Sequence, residues 1–145
     1  VSVYTSVDAR DDIVAKIKQL WAASDFQDVG MYGGNGPKPD LDKVPKFANF
    51  EIVFRDAEQV TLGNDPVDRT YGSIEFQFGA REGTGVRSLL AMQAYMKTGL
   101  KAATLGCVKT LIPSPAPGSS GNGWVFEALF VPFYFDSSPV AFVVP

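Results

Sequence analysis

The chain has 145 residues, 46% hydrophobic and 20% charged, with thirteen basic and sixteen acidic side chains and a net charge of −3. That length fits one domain over residues 1–145, able to bury about 70% of the surface its unfolded form exposes, and the charge excludes the basic footprint of a general nucleic-acid binder. With no histidine and one cysteine, Cys107, neither a Ser-His-Asp nor a Cys-His constellation can be built, nor the usual Cys/His zinc site, nor an intrachain disulfide.

In chain order, Asp8, Arg10, Asp11 and Asp12 stand where a signal peptide would need an apolar run, and no window approaches the roughly 18 consecutive apolar residues of a membrane span. The expectation is a soluble protein made in the cytoplasm. Ile13, Ile17, Leu20 and Trp21 repeat at helical spacing, so a helix capped by Ser6 or Asp8 is expected, ending near Ser24 to Asp28. Val29 to Tyr32 reads as a short strand. The glycines and prolines that follow make a loop to Pro45.

Phe50, Ile52 and Phe54 alternate with Glu51, Val53 and Arg55, and Ile74, Phe76 and Phe78 alternate with Ser73, Glu75 and Gln77. Both patterns predict half-buried strands. They pair as an antiparallel hairpin whose tip, around Gly63-Asn64-Asp65-Pro66, lies between about Asp56 and Asp68. Thr84 is the expected cap of a second helix to about Lys101. Leu89, Met92 and Met96 form its core stripe, flanked by Val86, Leu90 and Ala94. So wide an apolar face implies a second contact besides the sheet. Thr104 to Ile112 reads as a third long strand with Cys107 buried in it. Pro113 to Gly123 reads as a Pro/Gly/Ser loop, and Trp124 to Phe135, apolar on both faces, as a central strand. The apolar tail Val140 to Val144 is expected to dock on its own domain or a neighbour. The fold expected is α/β (α+β): a mainly antiparallel sheet of about four strands with two helices packed on it, plus long loops.

Chemistry-bearing motifs are sparse. Gly33-Gly34-Asn35-Gly36 superficially resembles a phosphate loop but lacks the Gly-Lys-Ser/Thr ending and opens no helix directly. Asp8, Asp11 and Asp12, or Asp40 and Asp42, lack the spacing of a calcium loop and read as solvated acids. Asp65 and Asp68 read as turn formers. The expectation is no enzyme, no cofactor and no metal; an enzyme or small-molecule domain using the Gly33 loop is the competing class.

The run Ala57-Glu58-Gln59-Val60-Thr61-Leu62-Gly63, then Arg69 to Phe78, then Gly83-Thr84-Gly85 opening a helix with Arg87 soon after, and the closing strand from Gly123-Trp124 to Phe135, together resemble the tail-terminator-like proteins of long-tailed bacteriophages over residues 47–136. The resemblance implies a structural virion protein, a homo-oligomeric and usually hexameric ring on the head-proximal end of the tail. Such a ring ends tail-tube polymerisation and provides the head-joining surface. Its implied partners are its own copies, the tail-tube protein and head–tail connector proteins. DNA would pass through without specific binding, no membrane is involved, and the place is the virion tail or neck after assembly in the host cytoplasm. A connector or tail-completion protein is the alternative. A tail-tube subunit is less favoured, since no strand pairing for a continuous tube is evident. Candidate contact residues lie in three irregular segments: Asn35, Lys38 and Asp40; Gln59, Thr61, Asn64, Asp65, Asp68 and Arg69; and Ser119 and Asn122. Each also reads simply as solvated loop.

Overall fold

The computed structural model describes residues 4–33, 38–60, 67–83 and 86–137. Helix α1 spans Ser6–Ala22. Its cap is Thr5, one residue before the expected Ser6. The Thr5 hydroxyl accepts from the Asp8 amide, and the Asp8 carboxylate accepts from the Thr5 amide at 2.9 Å, so two orphan donors are satisfied reciprocally. Ile13, Ile17 and Trp21 are buried and Leu20 lies at the margin. Past the helix, the Ser24 hydroxyl donates to the Trp21 carbonyl at 2.6 Å and the Trp21 indole donates to the Val29 carbonyl at 2.7 Å. These bonds deliver the chain into strand β1, Gly30–Gly33.

β2 (Lys46–Gln59) and β3 (Asp68–Arg81) form the expected hairpin, with Phe50 opposite Phe76 and Ile52 opposite Ile74. The register shifts between Phe54 and Ala57, an extra residue in β2 that bends its free end. β1 lies parallel to β2 along Phe47 to Phe50. On the other side of β3 runs β7, Trp124–Asp136, which places Leu129 opposite Phe76 and Val131 opposite Ile74.

The expected α/β (α+β) domain with about four strands is corrected here. The protein is mostly β, with two helices and, among the described residues, seven strands in one curled mixed sheet, a half-barrel. The difference lies between residues 104 and 121. Instead of one long strand, Thr104–Leu105 (β4) and Val108–Thr110 (β5) form a small hairpin about Gly106, whose φ is +64°. Cys107 sits exposed in that turn rather than buried in a strand. Ser114–Gly121, expected as loop, is strand β6. It pairs with β7 beside β5, giving the order β1-β2-β3-β7-β5-β4 with β6 also on β7. Prolines are tolerated there because β6 is an edge. The Asn122-Gly123 corner, with φ of +53° and +81°, is the two-residue turn that matches the twist of paired strands.

Helix α2, Arg87–Leu100, buries Leu89, Met92, Met96 and Leu100 against β7 and β3, while α1 lies against β4 and β5. Its N-cap is Val86, without a side-chain cap; the expected cap Thr84 falls outside the described residues, as does the tail Val140 to Val144. The flanking Val86, Leu90 and Ala94 are exposed. The helices meet where the Tyr95 hydroxyl donates to the Leu20 carbonyl at 2.6 Å. Both cover one sheet face, and their buried residues join Ala48, Phe50, Ile74, Phe76, Phe78, Leu129, Val131 and Phe133 in one cluster.

Two polar groups knit this core. Thr110 is buried, donates to the Leu100 carbonyl at 2.5 Å and accepts from the Ala103 amide at 2.7 Å, closing an orphan carbonyl of α2. Gln93 donates to the Ala128 carbonyl of β7 at 2.6 Å. This bond ties α2 to β7 beside the point where the β6–β7 register slips, between Ala116 and Ser119. At the edge, Tyr4 donates to Asp12 at 2.5 Å and rests edge-on against Phe135.

Two outcomes are expected. Gln93→Leu removes the bond between α2 and the Ala128 carbonyl and should cost about 0.5–1.5 kcal/mol in urea unfolding; an unchanged midpoint would show that this bond contributes nothing to stability. The Tyr4 phenol is pushed up from its ordinary 10.0, first by burial and then by its bond to Asp12. A raised folded pKa means that the stabilisation is complete below the unfolded value and fades as pH climbs above it. Tyr4→Phe should therefore lose less stability than the wild type between about pH 9 and 11, around the ordinary tyrosine value, in parallel denaturation curves.

Candidate assembly surface

Because side chains alternate across a strand, every core residue of β2, β3 and β7 has a neighbour aimed at the opposite, outer face. The register arranges these neighbours in rows. Glu51, Glu75 and Phe130 form one row across three strands, with Ser114 of β6 beside Phe130. Val53, Ser73 and Pro132 form the row on one side; Asn49, Gln77, Ala128 and Ala116 form the row on the other. Phe130 is 40% exposed. Glu51 and Glu75 are directly opposed like charges, an unfavourable cross-strand pair. Arg55 approaches Glu75 at 3.6 Å. Glu51 has no hydrogen-bond or ion-pair partner among the described residues.

The two ends of this face are closed by aromatic rings. At one end Phe47 lies edge-on to Trp124 and Phe126, with centroids 5.4 and 6.2 Å away. Phe47 and Trp124 are buried although neither belongs to the core under the helices. Gly79 makes room for them, since a Cβ there would run into the Phe47 ring. The Arg81 guanidinium sits 5.0 Å from the Trp124 ring centroid and donates to the Leu41 carbonyl, a cation–π contact that fixes the residues before β2. At the other end Arg69 forks onto Asp136 at 2.8 and 3.2 Å and lies 4.4 Å over Tyr134. Its hydrogen bond to Asp136 pushes the already high guanidinium pKa higher. Tyr71 donates to Glu58 at 2.8 Å, which raises the phenol above its ordinary value.

The expected contact residues divide between these ends. Gln59 is opposite Asp68 in the hairpin, and Asp68 exchanges bonds with Ser137; Arg69 is beside them. Asp40 and Asn122 belong to the other end, where the Arg81 amide donates to Pro45 and the Glu82 amide to Gly123. A 14-residue strand separates the two groups by roughly 40 Å. Asp40 accepts from the Asp42 amide at 3.1 Å and faces Lys43 at 3.8 Å, so its carboxylate builds a turn. Lys38 is exposed. Ser119 stands in β6 opposite Phe126, not in a loop, and Asn122 is a turn former. Asn35, Thr61, Asn64 and Asp65 lie outside the described residues. A cleft of about 220 Å³ beside β1, lined in part by Asp28, Tyr32 and Lys46, is separate from the outer face.

The outer face was not singled out by its sequence, although its alternation was visible in Glu51, Val53 and Arg55. What the pattern lacked was the register that sets Glu51, Glu75 and Phe130 side by side.

No protein-family model matches the chain, and no curated protein matches it. Sixteen chains of solved structures do. One superposes with a TM-score of 0.58 at 14% identity, over 89% of this chain and 95% of that one. At that identity the likeness shows the fold alone.

Gly79→Val should force the Phe47 ring off Trp124 and cost about 1–3 kcal/mol, as overpacking does. A shifted Trp fluorescence maximum and altered near-ultraviolet circular dichroism would accompany it. Spectra identical to the wild type would mean that the ring is not held by this close approach.

Proposed function

We propose that this chain is a structural assembly protein of the tail-terminator kind. Its copies form a ring at the head-proximal end of a bacteriophage tail, end tube polymerisation there and present the surface that joins the head. The observation that carries the reading is the outer sheet face: half apolar, outside the helix-covered core, and running between two ends that bear turns and loops. A rigid sheet with distinct ends suits a collar that touches different partners above and below. One end would meet the tube protein and the other the connector, while the body meets further copies of itself. The resemblance of residues 47–136 to terminator-like proteins points the same way.

In this reading the protein works by fit. DNA passes through the ring without specific binding, since each copy adds a net −3 and like charge does not grip a phosphate backbone. The place of action is the tail or neck of the virion, and the chain acts without a catalytic step, a cofactor or a membrane.

Electron microscopy of the purified protein, alone and with polymerising tail tubes, tests the proposal. Rings are expected, and added protein should hold the tubes at fixed length with a collar at one end. Rings that leave the tubes growing would transfer the reading to a head–tail connector. A protein that stays monomeric even beside tubes and connectors would end it.

A further inference from the structure

The ring reading leaves open which surfaces meet between copies, and two surfaces of this subunit are complementary. The first is the outer sheet face, where Phe130 is flanked by the opposed carboxylates of Glu51 and Glu75. The second is the solvent side of α2. Val86 and Leu90 are 40% and 48% exposed there, with Ala91 and Ala94 also open to solvent. The charges of this helix are all positive, Arg87 and Lys97, and the chain leaves it through Lys101. None of these three has a hydrogen-bond or ion-pair partner among the described residues.

Arg87 is informative because it stabilises nothing within its own helix. It occupies the first turn, where no acidic residue is present and where the helix dipole favours anions over cations. Glu51 is in the converse position, held opposite Glu75 by strand register with no cation of its own. Around Phe130 the sheet face carries Glu51 and Glu75, with Arg55 against Glu75 alone, which leaves Glu51 unbalanced, whereas the charges of α2 are cations only. Since α2 buries its other side on the core face of the sheet, its solvent side points away from the outer face. The two surfaces therefore cannot meet within one chain.

Resting on the ring reading, we infer that the occupant of the outer sheet face is a second copy of this chain, docking the solvent side of its α2 with Leu90 toward Phe130 and Arg87 toward the Glu51–Glu75 pair. Two different patches make a head-to-tail contact, which closes into a ring when the rotation per step divides the circle. Opposite charges then fix the register of docking more than its strength.

Charge exchange tests this directly, by light scattering coupled to gel filtration. Glu51→Lys and Arg87→Glu should each weaken assembly by about tenfold or more, since like charges then face each other across the contact. An equimolar mixture of the two variants should assemble again, because copies alternating around the ring bring opposite charges together at every contact. Arg87→Glu also places an anion at the start of α2, so the subunit's melting temperature should hold or rise while assembly is lost; a purely internal role for Arg87 would give the reverse. A wild type that never self-associates defeats the ring reading and this inference together. Rings that form equally well in both variants, or variants that fail to recover on mixing, defeat the inference and leave the ring reading standing.

Discussion

From Arg69 opposite Asp136 to Arg81 opposite Trp124, β3 and β7 pair without a break, and this ladder decides what every other part of the molecule can do. Side chains along a strand repeat every second residue, so a slip of one position would turn over the two faces of the slipped strand. A slipped β3 would send Phe76 to solvent and Glu75 beneath the helices; a slipped β7 would send Leu129 out and Phe130 in. Burying the Glu75 carboxylate there would cost far more than the slip could return. The register is thus pinned from both sides: by the apolar set on the core face and by the charged set on the outer one. Arg69 on Asp136 and Arg81 on Trp124 clamp its two ends.

With the ladder fixed, the helices have one place to go. α1 and α2 together cover the core face, and their joint packing depends on Tyr95 reaching the Leu20 carbonyl and on Thr110 closing the end of α2. The outer face is left to form a cluster of its own. At one end it does so, with Phe47, Trp124 and Phe126 over Gly79. Its middle does not close in this way, because Glu51, Glu75 and Phe130 cannot cover one another. The same constraint that gives a dense core on one side leaves a mixed, open surface on the other.

Much of this was legible in the residues. The alternation of Phe50 to Phe54 and Ile74 to Phe78 located the hairpin, and Ile13, Ile17 and Trp21 located the face of α1. The stretch from 104 to 123 departs from its sequence pattern for three physical reasons. Pro115, Pro117 and the adjacent glycines argue against a strand, yet an edge strand has one row of backbone groups with no ladder to donate to, so missing N–H groups cost little there. Asn122-Gly123 is itself a hairpin signal, and it was submerged in a run of small polar residues. Thr104 to Ile112 is rich in β-formers and so reads as one strand around Cys107, whereas the positive φ at Gly106 breaks that run into a turn. On the surface, the Arg69 fork is spent on Asp136. Glu51 and Glu75 were visible as off-core residues; only strand pairing makes them opponents.

The sheet edges bear on how copies of this chain could meet. Along β6 the prolines and the register slip near Ala116 interrupt the row of backbone groups that a neighbouring strand would need. On the far side β1 covers β2 only from Phe47 to Phe50. Beyond it the edge carries Glu51, Arg55, Asp56 and Glu58 and the bulge after Phe54. Charges, bulges and prolines are the devices by which sheets discourage strand-to-strand addition. An assembly that joined along β6 or the uncovered part of β2 would have to overcome them. Association through a face and a helix meets no such obstacle, since it leaves the ladders intact and draws on side chains that fold no part of the subunit. These edges therefore disfavour strand-to-strand addition and leave the side-chain faces as the readier surfaces for contact.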